Sequence, residues 1–126
     1  MRVGPLTVTP VRVHHPVEAY GLRVEAGGAV LAFTGDTDAC EALSPLCTGA
    51  DLVLADSAFV EGRDTVEGIH LSGRRAGAAV TAAGGVRRLV LTHVPPWNDV
   101  GVCLAEARST WDGPLEAATP GAVYDL

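Results

Sequence analysis

The chain has 126 residues, 48% of them hydrophobic, enough for one compact domain with a core and too few for two. Only 5% are aromatic, so Val, Leu and Ala must build the core, and 15 Gly with 8 Pro indicate many turns. A net charge of −6 argues against general nucleic-acid binding, which draws on counterion release at a basic surface. Arg74, Arg75, Arg87 and Arg88 are the residues that could still make one cleft positive, although exposed Arg clusters are usually solvated faces. Cys40, Cys47 and Cys103 are odd in number and not closely paired, so a disulfide framework is not expected; they read as small apolar residues of a reduced protein. Cys40 and Cys47 are seven apart, two helical turns, and are expected on one helix face. No stretch reads as a signal peptide or a membrane span, so a cytoplasmic protein without membrane contact is expected.

In chain order, Leu6 to Val13 alternates and is β-branched, hence a strand, with Pro10 pushing it towards an edge or a bulge. Gly21 to Glu25 and Ala29 to Phe33 flank the turn signal Gly27-Gly28 and form a hairpin. A helix is expected from Ala39 to Thr48, closed by Gly49. Asp51 to Asp56 is nearly all apolar, as for a strand covered on both faces, and Ala58 to Ile69 reads as a loop. Ser72 caps a helix to about Ala83, and Arg88 to Thr92 is another buried strand. Asp99 caps a last helix to about Thr110, and Leu115–Ala118 and Ala122–Tyr124 are read as short terminal strands. The middle is a βαβαβ pattern, which implies parallel pairing within a single α/β domain, residues 1–126.

In open α/β sheets, ligands sit beyond the carboxyl ends of the strands. Asp36 follows the Ala29–Phe33 strand and His93 follows the Arg88–Thr92 strand, so both project from one edge. Together they suit a borderline divalent ion such as zinc. His70 precedes the helix before the His93 strand and reaches the same rim, as a general acid or base or as a ligand. His14 and His15 end the first strand. Each has a plainer alternative: Asp36 as a turn residue or cap, His93 as a loop histidine bonded to backbone, His70 and His15 as structural or exposed. Trp97 and Trp111 are expected to pack, with the Pro95-Pro96-Trp97 loop the one nearer the site.

The combination resembles a known family. Tyr20-Gly21-Leu22-Arg23-Val24-Glu25 followed by Phe33-Thr34-Gly35-Asp36-Thr37 is similar to the segment leading to the fourth motif of metallo-β-lactamase-fold hydrolases. His70-Leu71-Ser72-Gly73-Arg74-Arg75-Ala76-Gly77 resembles the helix-opening His-Leu-Thr motif of ribonuclease Z-like members, and Arg88-Leu89-Val90-Leu91-Thr92-His93 resembles the fifth motif. His-Pro-Val-Glu-Ala-Tyr-Gly from His15 and Pro-Pro-Trp-Asn-Asp from Pro95 are closer to cyclic-nucleotide phosphodiesterase-like members than to tRNA-processing ones. The resemblance covers nearly the whole chain and implies one half, the C-terminal one, of an αββα sandwich: a mixed sheet with helices on one face.

By that resemblance Asp36 matches the carboxylate bridging two metal ions, zinc or manganese, and His93 matches a terminal ligand of one. His70 matches the histidine assisting the scissile phosphate or the leaving group; His15 and Thr37 fall at substrate-contacting or supporting positions. The implied reaction is hydrolysis of a small phosphodiester. The family's His-x-His-x-Asp-His motif is absent, so the chain alone is expected to hold metal weakly or not at all and to be an incomplete enzyme. An apolar sheet face is expected to need cover, from the other half or from a second copy in a homo-oligomer. The competing reading is a non-catalytic oligomerising or binding module that keeps the fold. No Gly-x-Gly-x-x-Gly, Walker-type loop or Gly-x-Ser-x-Gly elbow is present.

Overall fold

Period-two alternation and a glycine turn dictate the first third of the chain. β1 (Arg2–Val3), β2 (Leu6–Arg12), β3 (Tyr20–Ala26) and β4 (Ala29–Phe33) pair antiparallel in sequence order in the computed structural model, which describes residues 1–126. Gly27 and Gly28 both take positive φ between β3 and β4, the requirement of a tight hairpin turn. β1 was not foreseen, because two residues carry no period. It pairs only with Leu6 and Thr7, so β2 is a free edge at Pro10, where a missing N–H costs nothing.

The expected parallel half follows. β5 (Leu52–Asp56), β6 (Leu89–Thr92) and β7 (Leu115–Ala117) extend the sheet in order beside β4, giving seven strands. α1 (Leu43–Cys47), α2 (Gly73–Ala82) and α3 (Val100–Arg108) fill the three crossovers. Right-handed crossovers between strands that advance steadily in one direction put every helix on the same face. One core accordingly joins Ala32, Val53, Ala55, Leu89 and Leu91 of the sheet to Leu43, Leu46, Ala76, Val80, Cys103 and Ala107 of the helices.

The helices differ from expectation in length more than in place. Ser72 accepts from Arg75 N and Asp99 from Gly101 N, so both anticipated caps are made. α1, however, starts at Leu43 instead of Ala39. Pro45 lacks an N–H and is tolerated only within a first turn, so the regular helix cannot begin much earlier. Cys40 therefore lies before the helix and does not share its face with the buried Cys47; all three cysteines are free thiols. Ala122–Tyr124 is not a strand. Pro120 and Gly121 turn the chain after β7, and the last residues share a cavity with Leu52 instead of joining the sheet.

α2 and α3 touch closely. A Cβ at Gly73 would stand 2.1 Å from the Cys103 carbonyl oxygen, so only glycine lets the α2 start against the α3 backbone. On the other sheet face, the register aligns Val8, Val24, Leu31 and Leu52 in one row and Pro10, Leu22, Phe33 and Leu54 in the next. No helix covers these rows, and Leu22 and Phe33 are 36% and 38% exposed. No helix is long and apolar enough to cross a membrane.

Candidate metal centre

The carboxyl ends of β4, β5 and β6 meet at one rim because β4–β5 and β5–β6 pair in parallel, Phe33 opposite Leu54 and Asp56 opposite Thr92. Thr34 fastens two of them: its amide donates to Leu54 O (3.0 Å) and its hydroxyl accepts from Asp56 N (2.9 Å). At Gly35 (φ +63) a Cβ would lie 2.6 Å from Tyr20 O, so the turn that turns Asp36 out over the rim requires glycine. His93 is the one non-glycine residue with positive φ, +57. Such a conformation costs on the order of 1 kcal/mol or more and is found most often where function holds it.

These turns bring together three of the residues singled out from sequence. Ligand-type atoms of Asp36, His70 and His93 all lie within 4.8 Å of one another. Asp36 Oδ1 is 3.3 Å from His93 Nδ1, and the His70 and His93 rings meet edge to face with centroids 5.0 Å apart. Asp36 and His93 are half-exposed, while His70 is largely covered. In tetrahedral zinc sites the ligand bonds are about 2.1 Å, which spaces donors roughly 3.4 Å apart. The present spread, up to 4.8 Å, is wider by about 1.4 Å, within the reach of the exposed Asp36 and His93 side chains. One carboxylate and two imidazoles are the right chemistry for zinc or manganese, so the residues fit a divalent ion.

Asp56 is the residue that reading the sequence missed. It is 1% exposed and lies directly under the cluster. Its Oδ2 accepts from His70 Nδ1 (2.8 Å) and Thr37 N (3.0 Å), and its Oδ1 accepts from Ala58 N (3.0 Å) and faces His93 Nδ1 at 3.4 Å. A carboxylate here can only accept, so His70 carries its proton on Nδ1 and turns the Nε2 lone pair outward. The signal was available: Asp56 is the last residue of a parallel strand, at the same carboxyl edge.

His15 stands behind His70, ring centroids 5.4 Å apart, and its Nδ1–H donates to Ile69 O (2.8 Å), which holds the residue before His70. Thr37 is fully buried. Its hydroxyl donates to Asp38 O (2.7 Å) and accepts from His14 N (3.0 Å), so it supports the rim and has no surface for a substrate. Asp38 anchors the His70 loop from below, accepting from Gly68 N (2.7 Å), Ala39 N and Arg75 Nη1 (2.8 Å). Burial alone would raise its carboxyl pKa, but those amides and the Arg75 guanidinium outweigh it and hold it below the ordinary value. The Glu61 carboxyl is also held low, first by the Ser72 hydroxyl and then by Arg75 against burial.

The arginines do not form one positive cleft. Arg75 is spent on Asp38 and Glu61, while Arg87 and Arg88 pair with Asp51 and Glu116 at the opposite edge of the sheet. Trp111 packs against the core as expected. Trp97 does not; it is 76% exposed, on a loop beside His93.

Known proteins share this fold and much of this sequence. Residues 1–94 match the model of the β-lactamase superfamily domain. The chain is 40% identical over 125 residues to the uncharacterized protein ML1173 of Mycobacterium leprae, covering 98% of this chain and 44% of that protein. It is 34% identical over 129 residues to ribonuclease Z of Myxococcus xanthus, covering 99% and 41%. The crystal structure of the metallo-β-lactamase fold protein YhfI from Bacillus subtilis superposes with a TM-score of 0.92 at 27% identity, over 99% of this chain and 52% of that one. The chain thus spans about half the length of the relatives it matches. A matching family model, a shared fold and a rim carrying Asp36, His70 and His93 lead to one conclusion: the chain belongs to the metallo-β-lactamase superfamily of metal-dependent hydrolases.

Proposed function

We propose that this chain carries one side of a phosphodiesterase centre, with Asp36 and His93 holding a divalent ion and His70 serving the leaving group or the ion. The observation that carries it is the convergence of these three side chains over the buried Asp56, with His93 held in a strained backbone conformation. The likeness to ribonuclease Z of Myxococcus xanthus supports a phosphodiester as the bond cleaved. A zinc or manganese ion bound there would polarise a phosphoryl oxygen and lower the pKa of a water. The protein's own part is orientation. Asp56 fixes the His70 tautomer, leaving Nε2 free to hold the ion or to exchange a proton with the departing oxygen.

Three donors are too few for a tightly held pair of ions, and the remaining ligands come from polypeptide that covers the open sheet face. Relatives twice the length favour a second αβ half as that cover, and the exposed Leu22 and Phe33 mark where it packs. In the competing arrangement a second copy of this chain covers the face. Sedimentation at micromolar concentration separates the two: a monomer rules out the second copy. The function itself is tested by hydrolysis of bis(p-nitrophenyl) phosphate with added zinc or manganese. The chain alone is expected to show negligible turnover. Turnover should appear with a relative's half bearing His-x-His-x-Asp-His and vanish again in Asp36→Ala. Complementation that yields a stable complex but no metal-dependent hydrolysis would contradict the reading.

A further inference from the structure

Trp97 is an expensive residue to leave in water, and its loop is built to hold it there. Pro95 and Pro96 stiffen the approach. Asn98, 9% exposed, bolts the loop down: its amide N–H donates to Pro95 O (2.9 Å), Nδ2 donates to Ala58 O (2.9 Å), and Oδ1 accepts from Arg63 Nη1 (2.7 Å). The indole projects from this rigid base at 76% exposure. It lines a cleft of about 330 Å³ together with Ala58, Phe59, the Arg63–Asp64 ion pair, His70, His93 and Pro95, a volume suited to a small ligand.

The cleft has two chemically different ends. One is formed by the imidazoles of His70 and His93. The other is apolar, Trp97 with Pro95; Phe59 stands at the histidine end, its ring edge-on to His70 with centroids 5.1 Å apart. Arg63 adds no free charge there, since Nε and Nη2 are held by Asp64 and Nη1 by Asn98. With a divalent ion held at Asp36 and His93, a ligand filling both ends has an anionic group at that ion and a flat, uncharged ring one short spacer away.

We infer that Trp97 is the stacking platform for the base of a nucleoside phosphate whose phosphate lies at His70 and His93. This deepens, and rests on, the phosphodiesterase reading of the same rim. Because the Asn98, Arg63 and Asp64 side chains beside the loop are already partnered, the base is held by its face more than by its edge, so purines bind in order of stacking area with little discrimination between adenine and guanine.

The test uses the whole chain with zinc present. Isothermal titration compares AMP with ribose 5-phosphate, and Trp97 fluorescence is followed in a Trp111→Phe background. AMP is expected to bind about ten-fold tighter than ribose 5-phosphate and to quench Trp97. Trp97→Leu should abolish that advantage and Trp97→Phe should keep most of it. Equal affinities for the two ligands, an advantage that survives Trp97→Leu, or no binding of either would overturn the inference and leave Trp97 as a contact for covering polypeptide. Calorimetry on the unsubstituted chain gives the same comparison if the Trp111 variant is unstable. Adenosine and the Asp36→Ala variant distinguish the two layers. If adenosine still quenches Trp97 while zinc and Asp36 make no difference to phosphate binding, the platform stands and the phosphodiesterase reading fails.

Discussion

Replacing Asp56 by asparagine tests whether the buried carboxylate organises the rim. Asp56 accepts on both oxygens, from His70 and Thr37 at Oδ2 and from Ala58 at Oδ1. An asparagine has one acceptor oxygen. Turned one way, its amide nitrogen meets the His70 and Thr37 donors; turned the other, it meets Ala58 N–H and the neighbouring His93. The cheaper orientation orphans one buried backbone amide at about 1–3 kcal/mol and loses the charge on the remaining bonds, so the total is roughly 2–4 kcal/mol. For a chain of this length that lowers Tm on the order of 10 °C, measured by thermal or urea unfolding in the absence of metal. Asp56→Ala should be worse, because all three donors lose their partner. Zinc affinity should also fall about 10–100-fold in Asp56→Asn, since the neutral amide oxygen that then faces His70 Nδ1–H polarises the ring less than the carboxylate does. A Tm within about 2 °C of the parent, with unchanged zinc affinity, would show that the Asp56 carboxylate does not organise the rim.

Two further perturbations bear on the scaffold. Gly73→Ala forces a Cβ into the Cys103 carbonyl, separating α2 from α3 and destabilising by about 1–3 kcal/mol despite alanine's better helix propensity; chemical denaturation reads this directly, and a neutral effect would deny the close approach. Asp38 and Glu61 both have carboxyl pKa values held below the ordinary range in the folded chain, so their contribution is complete above the unfolded pKa, near 4, and is lost as pH falls through the lower folded value. The hydrogen-exchange protection of residues 60–70, taken relative to the intrinsic rate at each pH, should therefore be steady from pH 7 to about 5 and fall only in more acidic solution; loosening that began near neutrality would point to another group.

Much of the framework was legible because it follows from local rules. The hairpin at Gly27-Gly28, the buried β5 and β6, and the Ser72 and Asp99 caps all stand where period and capping chemistry place them. So does the meeting of Asp36 and His93, which follows from parallel strands sharing a carboxyl edge. What escaped was non-local or overridden. α1 is shortened by Pro45, and Cys40 leaves the helix for that reason. The C-terminal segment turns away at Pro120 and Gly121. The role of Asp56 depends on three donors spread from Thr37 to His70, which no spacing within the strand reveals. Trp97 was expected to pack because aromatics usually do, and only the Asn98 lock, linking it to Ala58 and Arg63, explains why it stays in solvent.

On the function proposed above, Asp36, His70 and His93 form a metal half-site on this chain. The most direct measurement is zinc and manganese content by elemental analysis after equilibration and buffer exchange, for the parent chain beside an Asp36→Ala, His93→Ala double variant of equal fold by circular dichroism. Up to about one ion per parent chain is expected, bound with release of protons, and none in the double variant. Equal metal content in the two proteins, whether both loaded or both empty at ion concentrations well above the micromolar range, would contradict it.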